Sequence, residues 1–235
     1  MKRLIDWKSQ LLPCMRGYIT DPMTSVQAMQ EMSLRFGIDS FCMTADFDCS
    51  LESVNMFLLR LARSRDLLEP HLPKNLHVTT FASVLLAPDL SLTPDLEKLL
   101  FSSQKLLSIK LPIGEYKDWM DLEFNHLLYK NKFRLLFTSF ELAVLLYPPV
   151  IVEKLMRISH AVFQFNYKSL ADPKICQIIK KLIAQKSQIL LGTSLDSLDK
   201  IYFYEFDYYL HSARLNLSAE EYRILLERNR LFWKS

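Results

Sequence analysis

The chain has 235 residues, half of them hydrophobic and 23% charged, with a formal net charge of +3. That balance excludes a disordered polymer, and the length is enough to bury a sizeable core as one domain. The basic residues are scattered, and the Lys180-Lys181 pair reads as a solvated helix face, so no nucleic-acid partner is expected.

In chain order, Ile5 to Pro13 opens as a short buried strand that runs into a loop. A helix fits Met23 to Phe36, with Val26, Met29, Met32 and Phe36 on one face and Gly37 as its C-terminal stop. Ile38 to Ala45 has the length and apolar content of a strand. A second helix is expected from Ser50, an N-cap residue type, to about Leu68, where Pro70 and Pro73 end it. Further strands are read at Leu76–Leu86, Leu106–Leu111, Phe133–Thr138, Ala161–Asn166 and Gln188–Thr193. Helices are read at Lys117–Lys130, with Trp119, Leu122, His126 and Tyr129 sharing a side, and at Pro173–Lys186, opened by proline. A further helical stretch is interrupted at Pro148-Pro149. Strict strand–helix alternation argues for parallel strands with crossover helices. Only four glycines are present and no Gly-rich loop follows the first strand, which disfavours a dinucleotide-binding sheet. The expectation is an α/β fold, a distorted seven-stranded (β/α) barrel, as a single domain over residues 1–235.

Several segments then line up with one known pattern. Asp6, Leu11, Leu12 and Pro13 stand where that pattern opens with Asp-x-His-x-His, two apolar residues and proline. Thr44-Ala45-Asp46-Phe47-Asp48, Pro88-Asp89-Leu90, Leu111-Pro112-Ile113-Gly114-Glu115-Tyr116 and Gln164-x-Asn166-x-x-Ser169-Leu170 follow in order. The chain thereby resembles the PHP (polymerase and histidinol phosphatase) family, in the branch of bacterial capsule-operon tyrosine phosphatases, over nearly its whole length. The resemblance implies a barrel related to the TIM barrel, and a link to capsule or exopolysaccharide biosynthesis.

The same resemblance implies where metal ligands should stand, and this chain departs at each place. The two opening histidines are Lys8 and Gln10, the next histidine is Asp46, and the bridging glutamate is Ser83. The histidine of the fifth strand falls on Thr138, or on Ser139 one residue later, and the closing Ser-Asp-Ala-His becomes Thr193-Ser194-Leu195-Asp196. A multinuclear hydrolase needs imidazole nitrogens and bridging carboxylates to hold its ions and activate water. A protonated lysine cannot ligate, and Ser, Thr and Gln are weak neutral donors. The expected function is therefore a catalytically inactive phosphatase-like protein with a binding or regulatory role and no cofactor. Its site residues are the degenerate positions Asp6, Lys8, Gln10, Asp46, Ser83, Thr138, Ser194 and Asp196, with Lys8 pairing with Asp46 or Asp196. Arg16 and Glu115 are the candidate ligand-binding residues beside them. The alternative is a rebuilt phosphoesterase holding Mg²⁺ or Mn²⁺ on Asp6, Asp46 and Asp196. Lys110 is read from strand alternation as outward-facing.

Other chemistries have no support in the residues. The five histidines show no metal-ligand spacing, no cysteine is followed six residues later by arginine, and no G-x-S-x-G elbow occurs. Cys14, Cys42, Cys49 and Cys176 read as reduced thiols, and no apolar run reaches the ~18 residues of a membrane span. The first residues lack the apolar core of a signal peptide, so a cytoplasmic protein is expected. Tyr202, Phe203, Phe206, Tyr209, Leu210 and Ala213 recur at helical spacing. They form either a face packed on the barrel or, through Tyr202, Phe203, Phe206 and Tyr209, a homo-oligomer or partner surface. A helix starting at Ser218-Ala219-Glu220-Glu221 closes the pattern. A tyrosine-rich kinase tail, an active relative, or an anionic saccharide or phosphate are the partners the resemblance suggests.

Overall fold

The computed structural model describes residues 4–15, 21–101, 105–194 and 200–233, with the side chains of 205–229 in the last stretch. Seven strands form one all-parallel sheet in sequential order: β1 (Leu4–Ser9), β2 (Ile38–Phe47), β3 (His77–Leu85), β4 (Leu106–Lys110), β5 (Arg134–Thr138), β6 (Val162–Asn166) and β7 (Gln188–Gly192). The helices are α1 (Pro22–Phe36), α2 (Val54–Leu68), α3 (Asp118–Asn125), α4 (Phe140–Leu146), α5 (Pro149–Met156), α6 (Pro173–Ala184), α7 (Lys200–Asn216) and α8 (Ala219–Trp233). The sheet curls until β7 meets β1, giving the distorted seven-stranded (β/α) barrel that the alternation of elements predicts.

The strands are apolar on both sides because both sides are covered. Ile5, Trp7, Cys42, Phe81, Leu106, Leu136, Val162 and Leu190 form one buried cluster. Residues from all seven strands can meet only inside the barrel, so this cluster is its floor. Phe101 closes it from below, its ring centroid 6.2 Å from Trp7 and 5.1 Å from Phe81. The outward residues of the same strands, including Phe41, Met43, Ile109, Phe137, Phe163 and Leu191, pack under the helices. Each fully buried Leu or Phe here contributes roughly 2 kcal/mol of transfer free energy.

Helix ends follow from local chemistry, with two departures from the sequence reading. Asp21 caps α1, and Gly37 ends it in the left-handed conformation at φ 69°. The cap of α2 is Ser53 rather than Ser50; Ser50 is held by Asp48 in the preceding turn, which delays the helix. In α3 the buried residues are Met120, Glu123 and Phe124, while Leu122, His126 and Tyr129 face solvent, so the expected shared face is rotated away from the core. The stretch after α3 continues as a π-helical turn, His126–Lys130, in which Asn131 N donates to His126 O at 2.9 Å.

Barrel closure is made largely by side chains. No strand ladder joins β1 to β7. Instead Asn229 of α8 donates from Nδ2 to Ile5 O (3.2 Å) and accepts from Leu191 N at Oδ1 (2.8 Å), and its carbonyl receives the Trp7 indole N–H at 2.9 Å. Tyr167 Oη adds a bond to Ile5 O at 3.0 Å, and Ser194 N reaches Lys8 O at 2.6 Å. Gly192 makes this approach possible: a Cβ there would lie 2.5 Å from Lys8 N and 2.7 Å from Lys8 Cβ.

Phe206, Tyr209 and Ala213 of α7 are buried in the chain's own core, with the Phe206 ring 4.6 Å from Phe36 and 5.0 Å from Tyr167. This corrects the oligomer-face expectation for Phe206 and Tyr209, which have no free surface to offer. The side chains of Tyr202 and Phe203 lie outside the described residues. Among the described residues, no helix is long and apolar enough to cross a membrane.

Candidate functional site

In a (β/α) barrel the strand C-terminal ends converge on one mouth, the place where such folds put their chemistry. Here the floor is apolar, while polar side chains crowd the upper layers: Lys8, Asp46, Ser83, Lys110, Thr138, Ser139 and Gln164.

Lys8 owes its position to an irregularity in β1. Pairing with β2 runs Asp6↔Phe41 and then Ser9↔Met43, three steps on β1 against two on β2. Such a bulge re-aims a side chain, so Trp7 faces the floor and the next residue, Lys8, also reaches inward. Its Nζ donates to Ser139 Oγ at 2.6 Å, and the residue is 2% exposed. Burial pushes the ammonium down to about 8; the Asp46 charge opposes this, Lys110 adds to it, and Glu141 opposes it. The hydrogen-bond partner of Lys8 is thus Ser139 rather than Asp46, and the expected pairing with Asp196 lies outside the described residues.

Asp46 is claimed by another lysine. Lys110 Nζ sits 2.5 Å from Asp46 Oδ2, while Asp46 Oδ1 is buried without a hydrogen-bond partner. Lys110 therefore faces the mouth, against the outward reading. The signal was available: Leu106, Ser108 and Lys110 share one side of β4, and Leu106 lies in the floor. Ser83 Oγ and Thr138 Oγ1 lie 3.2 Å apart, and Thr138 Oγ1 also donates to Ile109 O at 3.2 Å. These hydroxyls satisfy each other where the resemblance implies metal ligands.

Ser139 links β5 to α4 in the left-handed conformation at φ 50°. Its N–H donates to Gln164 Oε1 at 2.8 Å, and Gln164 Nε2 is tied to Phe165 O at 2.7 Å. Glu141, which the sequence reading missed, is buried behind Ser139. Its Oε2 accepts from Asn166 N at 3.3 Å, and burial raises its carboxyl above the ordinary value. A carboxylate in the first turn of a predicted helix ordinarily reads as a solvated residue, so nothing in the sequence marked it.

The other predicted site residues scatter. Asp6 is fully buried in the seam rather than exposed at the mouth: Thr193 N donates to Oδ1 at 2.7 Å, Thr193 Oγ1 to Oδ2 at 2.5 Å, and Lys8 N to Oδ1 at 3.1 Å. Burial raises its carboxyl to about 6 against the pull of those bonds. Gln10 is half-buried just past β1, Ser194 serves the seam through its backbone, and Glu115 is exposed in the loop before α3. Arg16 and Asp196 lie outside the described residues.

A cavity of about 250 Å³ opens at the β2–β4 side of the mouth, lined by Asp46, Lys110, Arg60, Phe47 and Met15. Arg60 is held there by Glu52, which it grips with Nε at 3.0 Å and Nη2 at 2.5 Å.

Among the described residues the donor set does not suit a metal ion. Two ammonium groups, Lys8 and Lys110, occupy the mouth. Asp6 spends both oxygens on Thr193, and Asp46 spends one on Lys110. Among the described residues no three His, Cys, Asp or Glu side chains converge to hold one. The alternative of an aspartate-based site loses Asp6 on this geometry.

No family model and no curated protein matches the sequence. Among solved structures, the chain is similar to one from the crystal structures of YwqE from Bacillus subtilis and CpsB from Streptococcus pneumoniae, described as unique metal-dependent tyrosine phosphatases. The superposition covers 98% of this chain and 94% of that one, with a TM-score of 0.68 and 19% identity. At that identity the likeness establishes the fold: this chain is built on the same barrel as a metal-dependent tyrosine phosphatase.

Proposed function

We propose that this chain is a degenerate PHP-type barrel of the tyrosine-phosphatase branch that works without metal, as a binding or regulatory protein rather than a phosphatase. The observation that carries the reading is the pair of lysines at the mouth. Lys8 and Lys110 place fixed positive charge where the resemblance implies divalent cations, and they neutralise Asp46 and Glu141. An ammonium can balance charge, but it cannot polarise a bridging water or bind two phosphoryl oxygens as a metal does. The cavity beside Lys110 and Arg60, whose charges are paired with Asp46 and Glu52, is the opening through which a protein or saccharide partner would meet the mouth. A role beside capsule or exopolysaccharide synthesis in the cytoplasm, with a tyrosine kinase or an active relative as partner, belongs to this proposal by resemblance alone.

The test is elemental analysis of protein purified without chelator, together with p-nitrophenyl phosphate hydrolysis in added Mn²⁺. The expected result is negligible bound metal and no rate above buffer. Stoichiometric metal with turnover abolished by Asp46→Ala would overturn the proposal and revive a metal site, for which the unpartnered Asp46 Oδ1 would be the natural ligand.

A further inference from the structure

Ser139 stands at the turn where β5 passes directly into α4, in the left-handed conformation at φ 50° and ψ 46°. A strained strand–serine–helix turn is how a nucleophile elbow presents its hydroxyl at the top of a sheet. The stretch Phe137-Thr138-Ser139-Phe140-Glu141 lacks the flanking glycines of the G-x-S-x-G pattern, so the backbone geometry is present where the motif is not. We propose that Ser139 and Lys8 form a serine–lysine dyad that hydrolyses short-chain carboxylic esters without a metal ion.

The Ser139 hydroxyl and the Lys8 amine are 2.6 Å apart, within the ~2.6–3.2 Å reach of a nucleophile and its base. Both partners are fixed in place. The Ser139 N–H donates to Gln164 Oε1 at 2.8 Å, and Gln164 Nε2 is itself tied to Phe165 O at 2.7 Å. The Lys8 backbone is held on both sides, its N–H by Asp6 Oδ1 at 3.1 Å and its carbonyl by Ser194 N at 2.6 Å. A lysine acts as a base only when unprotonated. Burial favours that form and the Lys110 charge adds to it, while the Asp46 and Glu141 charges oppose it. With Lys8 brought down to about 8, a neutral amine is available at mildly alkaline pH.

The chemistry closes on these two side chains. Neutral Lys8 takes the Ser139 proton as Oγ bonds to the ester carbonyl carbon. The bond to the alkoxy oxygen then breaks, and the alcohol leaves with that proton. Water attacks the acyl-serine and gives a proton to Lys8, the carbon–Oγ bond breaks, and Ser139 recovers the proton as the carboxylic acid departs. Ser139 is 8% exposed, so only a small acyl group can reach it. Glu141 and Asn166, whose backbone N–H bonds the Glu141 carboxylate, line an open cleft of about 660 Å³ with Leu142 and Leu145 on that side of the barrel. The inference goes beyond the metal-free reading, which removes phosphatase chemistry and leaves this hydroxyl without a task.

The test is hydrolysis of p-nitrophenyl acetate by the full chain in EDTA between pH 6 and pH 9. In parallel the chain is treated with phenylmethylsulfonyl fluoride and the adduct is located by peptide mass spectrometry. Hydrolysis should exceed the buffer rate, survive EDTA and rise with pH through about 8, and the sulfonyl group should sit on Ser139. Ser139→Ala, Lys8→Met and Lys8→Arg, checked for folding by their melting curves, should each lose about 100-fold or more. Arginine keeps the charge but cannot accept the proton. No rate above buffer, an adduct only on other residues, or an unchanged rate in Ser139→Ala would overturn the dyad and leave the metal-free reading standing. Hydrolysis abolished by EDTA would overturn both.

Discussion

The ammonium of Lys8 lies 2.6 Å from the hydroxyl of Ser139, inside the barrel and shut off from water. Burial lowers the folded-state value from 10.5 to about 8. Between those two values the unfolded chain holds a proton that the folded chain has released, so stability rises with pH across the window. The penalty is complete below about pH 8 and gone near 10.5. At 1.36 kcal/mol per unit the ceiling is on the order of 3 kcal/mol. Urea denaturation at pH 7.5 and pH 10 should show wild type gaining on Lys8→Met over that interval. Comparing the two proteins cancels the tyrosines that titrate nearby. Curves that stay parallel would mean that Lys8 is not a buried charge.

Asp6 works in the opposite direction along the pH axis. Its carboxyl, raised from 3.8 to about 6, takes up a proton in the folded state before the unfolded one does. The cost of holding it ionised is present above pH 6 and is relieved as pH falls toward 4. Asp6→Asn has no such cost, so its stability relative to wild type should rise between pH 4 and pH 7, by about 3 kcal/mol at most. Asp6→Ala shares that pH dependence but also leaves Thr193 N without its acceptor, so it should lie about 1–3 kcal/mol below Asp6→Asn across the range. A flat difference for Asp6→Asn across the range would sink the assignment.

Gly192 is needed for contact rather than for backbone freedom. An added Cβ would meet Lys8 N at 2.5 Å, Lys8 Cβ at 2.7 Å and Gln164 Nε2 at 3.0 Å. Two of these atoms belong to the first strand, which cannot retreat without breaking the Ser194–Lys8 backbone bond and the Thr193–Asp6 pair. Gly192→Ala should therefore destabilise by about 2–3 kcal/mol, the usual range for overpacking. An unchanged urea midpoint would show that the seam has slack.

Strand order and the barrel were legible because parallel strands buried on both faces write themselves as short apolar runs between helices, as in Leu106–Lys110 and Val162–Asn166. The closing glycine of α1 was legible because its chemistry is local. The site was less so. Whether Lys8 points inward depends on a bulge that no residue type in β1 announces. Glu141 and Ser139 matter through partners 133 and 131 positions away in the chain from Lys8 at most, and distances of that kind are set by the closed barrel rather than by spacing. Lys110 was misread although Ser108, two residues earlier, carried the parity. The role of Asn229 in closing the sheet had no local sequence signal, because its partners are Ile5 and Leu191, far away in the chain.

That role gives the sharpest structural test. The side-chain amide of Asn229 does the work of a missing ladder bond: it gives a proton to Ile5 O and takes one from Leu191 N across the β1–β7 seam. Ile5 O has a second donor in Tyr167, whereas Asn229 Oδ1 is the acceptor seen for Leu191 N. Asn229→Ala therefore leaves one buried N–H unsatisfied and should cost about 1–3 kcal/mol. Asn229→Asp keeps the acceptor but sets a carboxylate oxygen against Ile5 O, so it should be no better than alanine above the aspartate's own titration. Amide hydrogen exchange separates a seam effect from general loosening. In Asn229→Ala the Leu191 amide should lose protection by more than the global loss of stability, while Leu135 and Phe137 in β5 should track the global value. Equal loss at Leu191 and at β5 would show that the barrel opens only as a whole and that Asn229 closes nothing locally.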